Sequence, residues 1–386
     1  MKITSVETRV LELPARDPAD GRRRPGWLER NPIANPMSPY VPAESNMLRW
    51  VPEWPDFLVV VTAEDGTQGI GPGRYGRPVA AVIQDYLGPR IVGEPALATE
   101  RLYDMLVRLC TPFGAAGLAS YAVSGIDLAL WDLKGKVLGR PVYQLLGGPA
   151  RDFVPCYATC GDVDWVKELG FTAVKVPCPY APVHGRGGLK RNVERVAEAR
   201  EYMGDDAQLM LDCWMSLDVE YGVQLAESLR PYNLAWIEEM LRPEDFDGYA
   251  QLRARLPWQT LATGEHWYTP IPFQHAASRR LVDILQPDIA WVGGLTPLLR
   301  ICAIAEAAGL TVIPHGGAGS PYGQHALFAL PAIPLGEWYI ATAPGVPLEN
   351  GPLLPGTAVP KNGRLRPSDA PGFGVEIDAD KLPAFL

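Results

Sequence analysis

The chain has 386 residues, 47% hydrophobic and 20% charged, enough for one large packed domain or two ordinary ones. Its formal net charge of −9 is spread along the sequence, which argues against a nucleic-acid or anionic-membrane partner. No apolar run approaches the ~20 residues that span a bilayer, and the segment after Met1 lacks the apolar core of a signal peptide, so a cytoplasmic protein is expected.

From the N-terminus, "ITSVETRVLEL" and "FLVVVTAEDGTQGIG" read as strands. Between them residues 15–56 are rich in Pro, Arg, Trp and Asn, too long a stretch for a mere connector. Trp27, Tyr40, Trp50 and Trp54 are costly to leave in water, so this stretch is expected to be a functional loop. Residues 79–140 read as helices. "YAVSGIDLALWDLKGKVLGRPVYQLLGG" carries apolar residues at three- and four-residue spacing before a Gly-Gly stop. Residues 1–150 are therefore expected to form an α+β domain.

From residue 153 the pattern changes to short apolar runs alternating with amphipathic stretches. The runs are "FVPCYATCG", "FTAVKVP", "AQLMLDCW", "LAWIEEM", "WQTLATGEH", "VDILQPDIAW", "LTVIPHGG" and "LGEWYIA". Runs joined by helices such as "NVERVAEAREYMG" and "LLRICAIAEAAG" predict an α/β fold, a (β/α) barrel over residues 151–345. The last run lacks a clear following helix, so the barrel is expected to be modified there. The Pro/Gly-rich residues 346–386 are expected to pack back on the first domain. Cys110, Cys156, Cys160, Cys178, Cys213 and Cys302 form no CxxC pair and are expected to be reduced and buried.

In such barrels the chemistry gathers at the C-terminal ends of the strands. Asp212 ends the third run, Glu238-Glu239 the fourth and Glu265-His266 the fifth. Asp288 follows the sixth, His315 the seventh, and Glu337 lies on the eighth. Asp212 to Glu238 is 26 residues and Glu238 to Glu265 is 27, about one strand–helix unit each. One strand-end carboxylate alone is more often a helix cap or a loop charge; three in phase are not. Three on adjacent strands repel unless they share a cation. A hard divalent ion such as Mg²⁺ suits oxygen donors. Period-two alternation turns only one of Glu238 and Glu239 inward, and Glu239 is expected to point elsewhere.

His315 sits in "TVIPHGGAGS", and a lone histidine is usually structural. Asp288, on the neighbouring strand, can accept its Nδ1–H, which fixes the tautomer and raises the basicity. The plainer role for Asp288 is to cap the turn before "GGLTPLLR". His325, in "SPYGQHALFAL", reads as helix-borne and structural.

"LMLDCWMSLD", "WIEE", "TGEH", "QPDIAWVGGLT" and "VIPHGG" together resemble the enolase superfamily, closest to acid-sugar dehydratases of the L-rhamnonate dehydratase type. "NPMSPY", "GIDLALWDLKGK", "RPVYQLLGG" and the closing "PGFGVE" extend the resemblance over nearly the whole chain. It implies a capping α+β domain on a modified TIM barrel, (β/α)7β. It implies that Asp212, Glu238 and Glu265 bind Mg²⁺. His315 would take the C2 proton of an aldonate with Asp288 as its partner. Glu337 would lie near the substrate carboxylate, as a catalytic and substrate-binding group, where negative charge builds. The product would be a 2-keto-3-deoxy acid, and the protein a homo-oligomer.

Many relatives carry Lys-x-Lys on the second strand. Here "AVKVPCPY" has Lys175 and then Pro177, so the second base looks absent and a two-base racemase is disfavoured. Lys175 is left to touch substrate, neutralise the glutamates, or balance charge structurally. The family's loop histidine before "PMS" is also missing: Asn31 and Pro32 stand there, and the first 183 residues contain no His. Arg49 is the nearest candidate for the family's substrate-contacting arginine, since a guanidinium pairs bidentately with carboxylates; a surface arginine is its other reading. These departures leave the sugar open between L-rhamnonate and another aldonate such as L-lyxonate or L-mannonate. Two other classes remain: a barrel glycosidase using Glu238 and Glu265, and a non-catalytic relative.

Overall fold

The computed structural model describes residues 1–13, 21–30, 32–40 and 52–386. Arg49, Trp50 and Asn31 lie outside the described residues.

The first unit is a three-stranded antiparallel sheet in the order β1 (Ile3–Val10), β2 (Phe57–Ala63), β3 (Gln68–Gly73). The helix Leu118–Val137 lies across it. The approach is close enough to demand glycine: a Cβ on Gly71 would stand 2.0 Å from the Gly125 carbonyl oxygen. Val59, Val61, Ile126, Leu130 and Leu133 fill the interface. Burying each such side chain contributes roughly 1.5–3 kcal/mol.

The second unit is a parallel sheet of eight strands. These are β4 (Val154–Thr159), β5 (Ala173–Pro177), β6 (Gln208–Asp212), β7 (Trp236–Glu238), β8 (Leu261–Thr263), β9 (Ile284–Leu285), β10 (Thr311–Val312) and β11 (Gly336–Tyr339). Each pairs with the next from β4 to β10, and β11 returns to pair with β4. A short β12 (Arg364–Leu365) pairs antiparallel with β4. Helices follow β4 to β10, and among the described residues no α-helix follows β11, which gives the (β/α)7β architecture. Among the described residues no backbone ladder joins β10 to β11; the Gly316 N–H reaches the Glu337 carboxylate there at 2.9 Å.

Inside the barrel Tyr157, Ala173, Met210, Trp236, Ala262, Ile284 and Ile313 form one apolar layer. Strand alternation returns the same face two residues later. The next layer toward the C-terminal ends is therefore Thr159, Lys175, Asp212, Glu238, Gln286 and His315, with Glu337 following Leu335 on β11. The alternation that packs the core thus lifts the ionisable groups to the mouth.

The two units meet through buried polar contacts. Asp127 accepts from the Thr296 backbone N–H at 3.0 Å and hydroxyl at 2.6 Å, and Ser124 accepts from the Gly293 N–H at 2.8 Å. The C-terminal residues return to the first sheet, where Phe385 stacks on Phe57 with 4.7 Å between ring centres. All six cysteines are free and buried. Among the described residues no helix is long and apolar enough to cross a membrane.

Within the described part of the 15–56 stretch, Trp27 is buried on the helix Trp27–Arg30. Tyr40 and Trp54 are 80% and 45% exposed, against the expectation that they would be covered. Trp54 instead meets Tyr75 edge-on, with ring centres 6.1 Å apart.

Candidate active site

Lys175 is the centre of the polar layer. It is 1% exposed, and its Nζ pairs with Glu238, lies 2.9 Å from Glu337 and 3.4 Å from Asp212. An ammonium has three donors and no acceptor, so this set of carboxylates occupies it. Burial works against its charge, but Glu238 and Glu337 outweigh that and hold its pKa well above the ordinary lysine value. Of the roles open to Lys175, neutralising the glutamates is the one this geometry favours.

Glu238 is tied on both oxygens. Oε2 accepts from Trp236 Nε1 at 2.9 Å and Gln286 Nε2 at 2.6 Å, and Oε1 accepts from Lys175. Burial nonetheless pushes its carboxyl up to about 7 against the pull of Lys175, with Asp212 and Glu337 adding to the rise. Asp212 stands directly opposite Glu238 in the strand register and accepts from the Trp214 N–H at 2.9 Å. At Glu337 burial also acts upward, yet Lys175 and His315 prevail, helped by the Thr159 hydroxyl, and the carboxyl sits at about 2.

Glu265 reaches the same cavity by a different route. Gly264, at φ 134°, breaks the alternation at the end of β8, and Glu265 enters from one residue further on. Burial drives its carboxyl well above the ordinary range despite His315. His315 lies opposite, with Nδ1 2.8 Å from Asp288 Oδ2 and Nε2 3.6 Å from Glu265 Oε2. Burial alone would strip its proton, but Glu265 outweighs this, Asp288 and Glu337 add to it, and the imidazole is raised well above its usual value. Asp288 Oδ1 also accepts from the Ala290 N–H at 2.7 Å, so it both caps its turn and orients His315.

Glu239 departs from expectation. It is 2% exposed and does not point away from the site. Its φ of 48° turns the chain just past β7 and breaks the alternation that would have sent it elsewhere. Its Oε1 accepts from His266 Nδ1 at 2.6 Å. Glu239, Glu265 and His266 are the one set of three such groups, among the described residues, whose donor atoms all lie within 4.8 Å of one another. Asp212 and Glu238 are drawn toward Lys175 instead and do not close to that spacing with Glu265. Sequence reasoning missed the Glu239–His266 pair; its signal was that each residue directly follows a candidate ligand.

The lining residues enclose a cavity of about 410 Å³. One side is charged, with Lys175, Asp212, Glu265, His266, His315 and Glu337. The other is apolar, with Trp27, Ile33, Tyr75, Trp214 and Tyr339. A second chamber of about 390 Å³ shares Pro52, Tyr75, Trp291, His315 and Tyr339 with it. Six carboxylates (Asp212, Glu238, Glu239, Glu265, Asp288 and Glu337) face one lysine and two histidines. One Glu239 oxygen is buried without a hydrogen-bond partner. Hard oxygen donors with a surplus of negative charge fit a divalent cation such as Mg²⁺. His325 stands apart on the helix Pro321–Ala329, buried, where its Nδ1 accepts the Tyr143 N–H at 3.2 Å.

The chain is similar to known proteins in sequence and fold. Residues 162–381 match the family described as enolase C-terminal domain-like, and residues 51–147 match the mandelate racemase/muconate lactonizing enzyme N-terminal domain. An L-rhamnonate dehydratase of Saccharopolyspora erythraea is 40% identical over 92% of this chain and 91% of its own length. The crystal structure of a rhamnonate dehydratase from Gibberella zeae complexed with Mg superposes with a TM-score of 0.90 at 33% identity, covering 100% of this chain and 96% of that one. A 3,6-anhydro-D-galactonate cycloisomerase from Zobellia galactanivorans superposes with a TM-score of 0.77 at 26% identity, covering 99% of this chain and 98% of that one.

Proposed function

The chain belongs to the enolase superfamily, and from that premise we propose that it dehydrates an acid sugar to a 2-keto-3-deoxy acid, with L-rhamnonate the first substrate to test. The observation that carries this reading is the His315–Asp288 pair facing Glu265 across one barrel mouth, at 2.8 Å and 3.6 Å.

Asp212, Glu238 and Glu265 would hold Mg²⁺. A bound Mg²⁺ supplies positive charge beside the substrate carboxylate, which stabilises the charge that builds there when the neighbouring proton leaves. The rest falls to the chain's own side chains. Asp288 keeps Nδ1 of His315 engaged, so Nε2 is the nitrogen that meets substrate. With Glu265 engaged by a cation its raising pull on His315 would fall, and Nε2 of the neutral ring would take the proton from C2 as the C2–H electron pair moves toward the carboxylate. As the electrons return, the C3–O bond breaks, and the same Nε2–H protonates the departing hydroxyl, so one water leaves. The enol then tautomerises to the 2-keto acid. Glu337, at the same mouth, accepts from the Thr159 hydroxyl and the Gly316 N–H; to hydrogen-bond the substrate carboxylate as charge builds there it would first have to take up a proton.

A racemase needs a second base on the opposite face of C2. The β5 side offers Lys175, whose ammonium is enclosed by carboxylates, and Pro177, which carries no base. That supports single-base elimination. The apolar wall of Trp27, Ile33 and Tyr339 suits a chain ending in methyl, as a 6-deoxy acid does.

The test is a panel of C5 and C6 aldonates with Mg²⁺, read by 2-keto acid formation. Turnover of L-rhamnonate is the expected result. No turnover on any aldonate would sink the proposal.

A further inference from the structure

We propose that His266, held by Glu239, grips a hydroxyl of the acid-sugar substrate and helps decide which sugar acid is accepted. The inference rests on the dehydratase reading above.

His266 lines the same cavity as His315. Its Nδ1–H is taken by Glu239 Oε1 at 2.6 Å, which leaves Nε2 as the free ring nitrogen. Nε2 has no hydrogen-bond partner among the described residues and is not among the sealed, unpartnered polar atoms, so it opens to the cavity. A ring nitrogen so presented can accept from or donate to a sugar hydroxyl.

The support under His266 is costly, which points to a purpose. Glu239 is 2% exposed, and its Oε2 has no hydrogen-bond partner. Its backbone sits at φ 48°, in the left-handed region that residues other than glycine seldom adopt. The unpaired buried oxygen and the left-handed backbone both oppose folding, and both accompany the placement of this carboxylate at the imidazole. The proposed elimination uses neither residue, since His315 and Asp288 move the protons.

The placement fits a substrate contact. Trp291 packs on both imidazoles, with ring centres 5.4 Å from His266 and 4.9 Å from His315. A hydroxyl gripped by His266 is therefore close to the carbons that react at His315. A polyhydroxy acid carries a hydroxyl at each such carbon, and their stereochemistry distinguishes one aldonate from another. A site built to hydrogen-bond a hydroxyl rejects the isomer that cannot offer it.

The test uses His266→Phe, His266→Gln and Glu239→Gln beside the unaltered protein. Each is titrated with Mg²⁺ by calorimetry and assayed on the aldonate panel. His266→Phe should raise KM about tenfold, the value of one lost hydrogen bond, while kcat holds. Preference among diastereomers should flatten, Mg²⁺ affinity should be unchanged, and His266→Gln should recover part of the loss. Unchanged KM and preference in His266→Phe, with the unaltered protein active, overturn this inference and leave the dehydratase reading standing. A fall in Mg²⁺ affinity that tracks the loss of activity also overturns it, because His266 would then belong to the cation cluster. If the unaltered protein acts on no aldonate, the dehydratase reading fails and this inference with it. Should His266→Phe not fold, Glu239→Gln decides, since it keeps the volume and loosens the ring; an unchanged KM there overturns the inference.

Discussion

Lys175→Met tests the charge balance of the site. Methionine keeps the length of the side chain and removes the ammonium. Lys175 and Glu238 are each 1% exposed, and Glu337 is equally buried. The substitution therefore leaves two sealed carboxylates without their main counter-charge, beside Asp212 at 3.4 Å from the vacated position. Breaking a buried pair by removing one partner costs about 3–5 kcal/mol. A domain's whole stability is about 5–15 kcal/mol, so the effect is large. The assay is urea unfolding in EDTA, with the parent protein alongside. Added Mg²⁺ should then stabilise the variant by more than it stabilises the parent, because the variant's carboxylates carry one more uncompensated charge. A ligand at a hundred times its Kd contributes about 2.7 kcal/mol, enough to offset most of the loss. A loss below about 1 kcal/mol, the range of an exposed ion pair, would refute the argument that Lys175 is the internal counter-ion.

His315→Asn should lower turnover about a hundred- to ten-thousandfold while Mg²⁺ binding persists by calorimetry; undiminished turnover excludes His315 as the base. His325, whose burial pulls its imidazole down to about 4 from 6.5, sets an acid limit on stability. Below pH 6.5 the unfolded chain takes the proton first, so stability falls between pH 6.5 and 4, by about 3 kcal/mol at 1.36 kcal/mol per unit. Urea midpoints across that window should slope less steeply in His325→Gln, and equal slopes would discard the assignment. Asp162, buried and paired with Arg30 and Arg24 of the segment around Trp27, ties that segment to the barrel; Asp162→Ala should loosen it, read as faster proteolysis within residues 21–30 and a higher KM, and unchanged cleavage counts against that tie. L-mannonate, which adds a hydroxyl to the methyl end of L-rhamnonate, should be turned over with kcat/KM lower by no more than about a hundredfold, because an apolar wall rejects an added hydroxyl only weakly. A larger ratio, measured side by side, points to a polar partner at that end.

The polar layer was legible because the sheet's period is two. Asp212, Glu238 and Lys175 each stand two residues beyond an inward apolar side chain, and the apolar runs mark which side is inward. Glu265 was legible for a different reason: unit spacing placed it at a strand end although alternation did not. Where the backbone leaves the extended region, residue type gives no warning. Nothing in "WIEEM" announces φ 48° at Glu239, and so its carboxylate, expected to face elsewhere, was missed along with His266. Tyr40 and Trp54 show the converse. Aromatic content argued for cover, yet exposure is decided by what packs against a side chain, and the sequence of a loop carries no such period.

Part of the cavity's apolar wall comes from a segment distant in sequence from the charged wall, and under the proposed function that division would separate recognition from chemistry. The charged wall is rooted in strand registers. It cannot move without moving the barrel, so changes there fall on kcat. The apolar wall is shared: Trp214 and Tyr339 come from the barrel, Tyr75 from the first unit, and Trp27 and Ile33 from the segment before β2. In that segment the Trp27 indole N–H donates to the Ile340 carbonyl at 3.0 Å and its ring meets Tyr339 at 5.5 Å. That segment is pinned by arginines: Arg30 to Asp162, Arg24 to Asp164 at 2.5 Å, and Arg23 to Glu168 at 2.6 Å. Asp162 is buried at the end of β4, where it joins the segment to the barrel. The arginines are partly exposed, so each pair adds little stability on its own. If the proposed function holds, a change in the segment should alter which acid is accepted while His315, Asp288 and the carboxylates keep the same reaction.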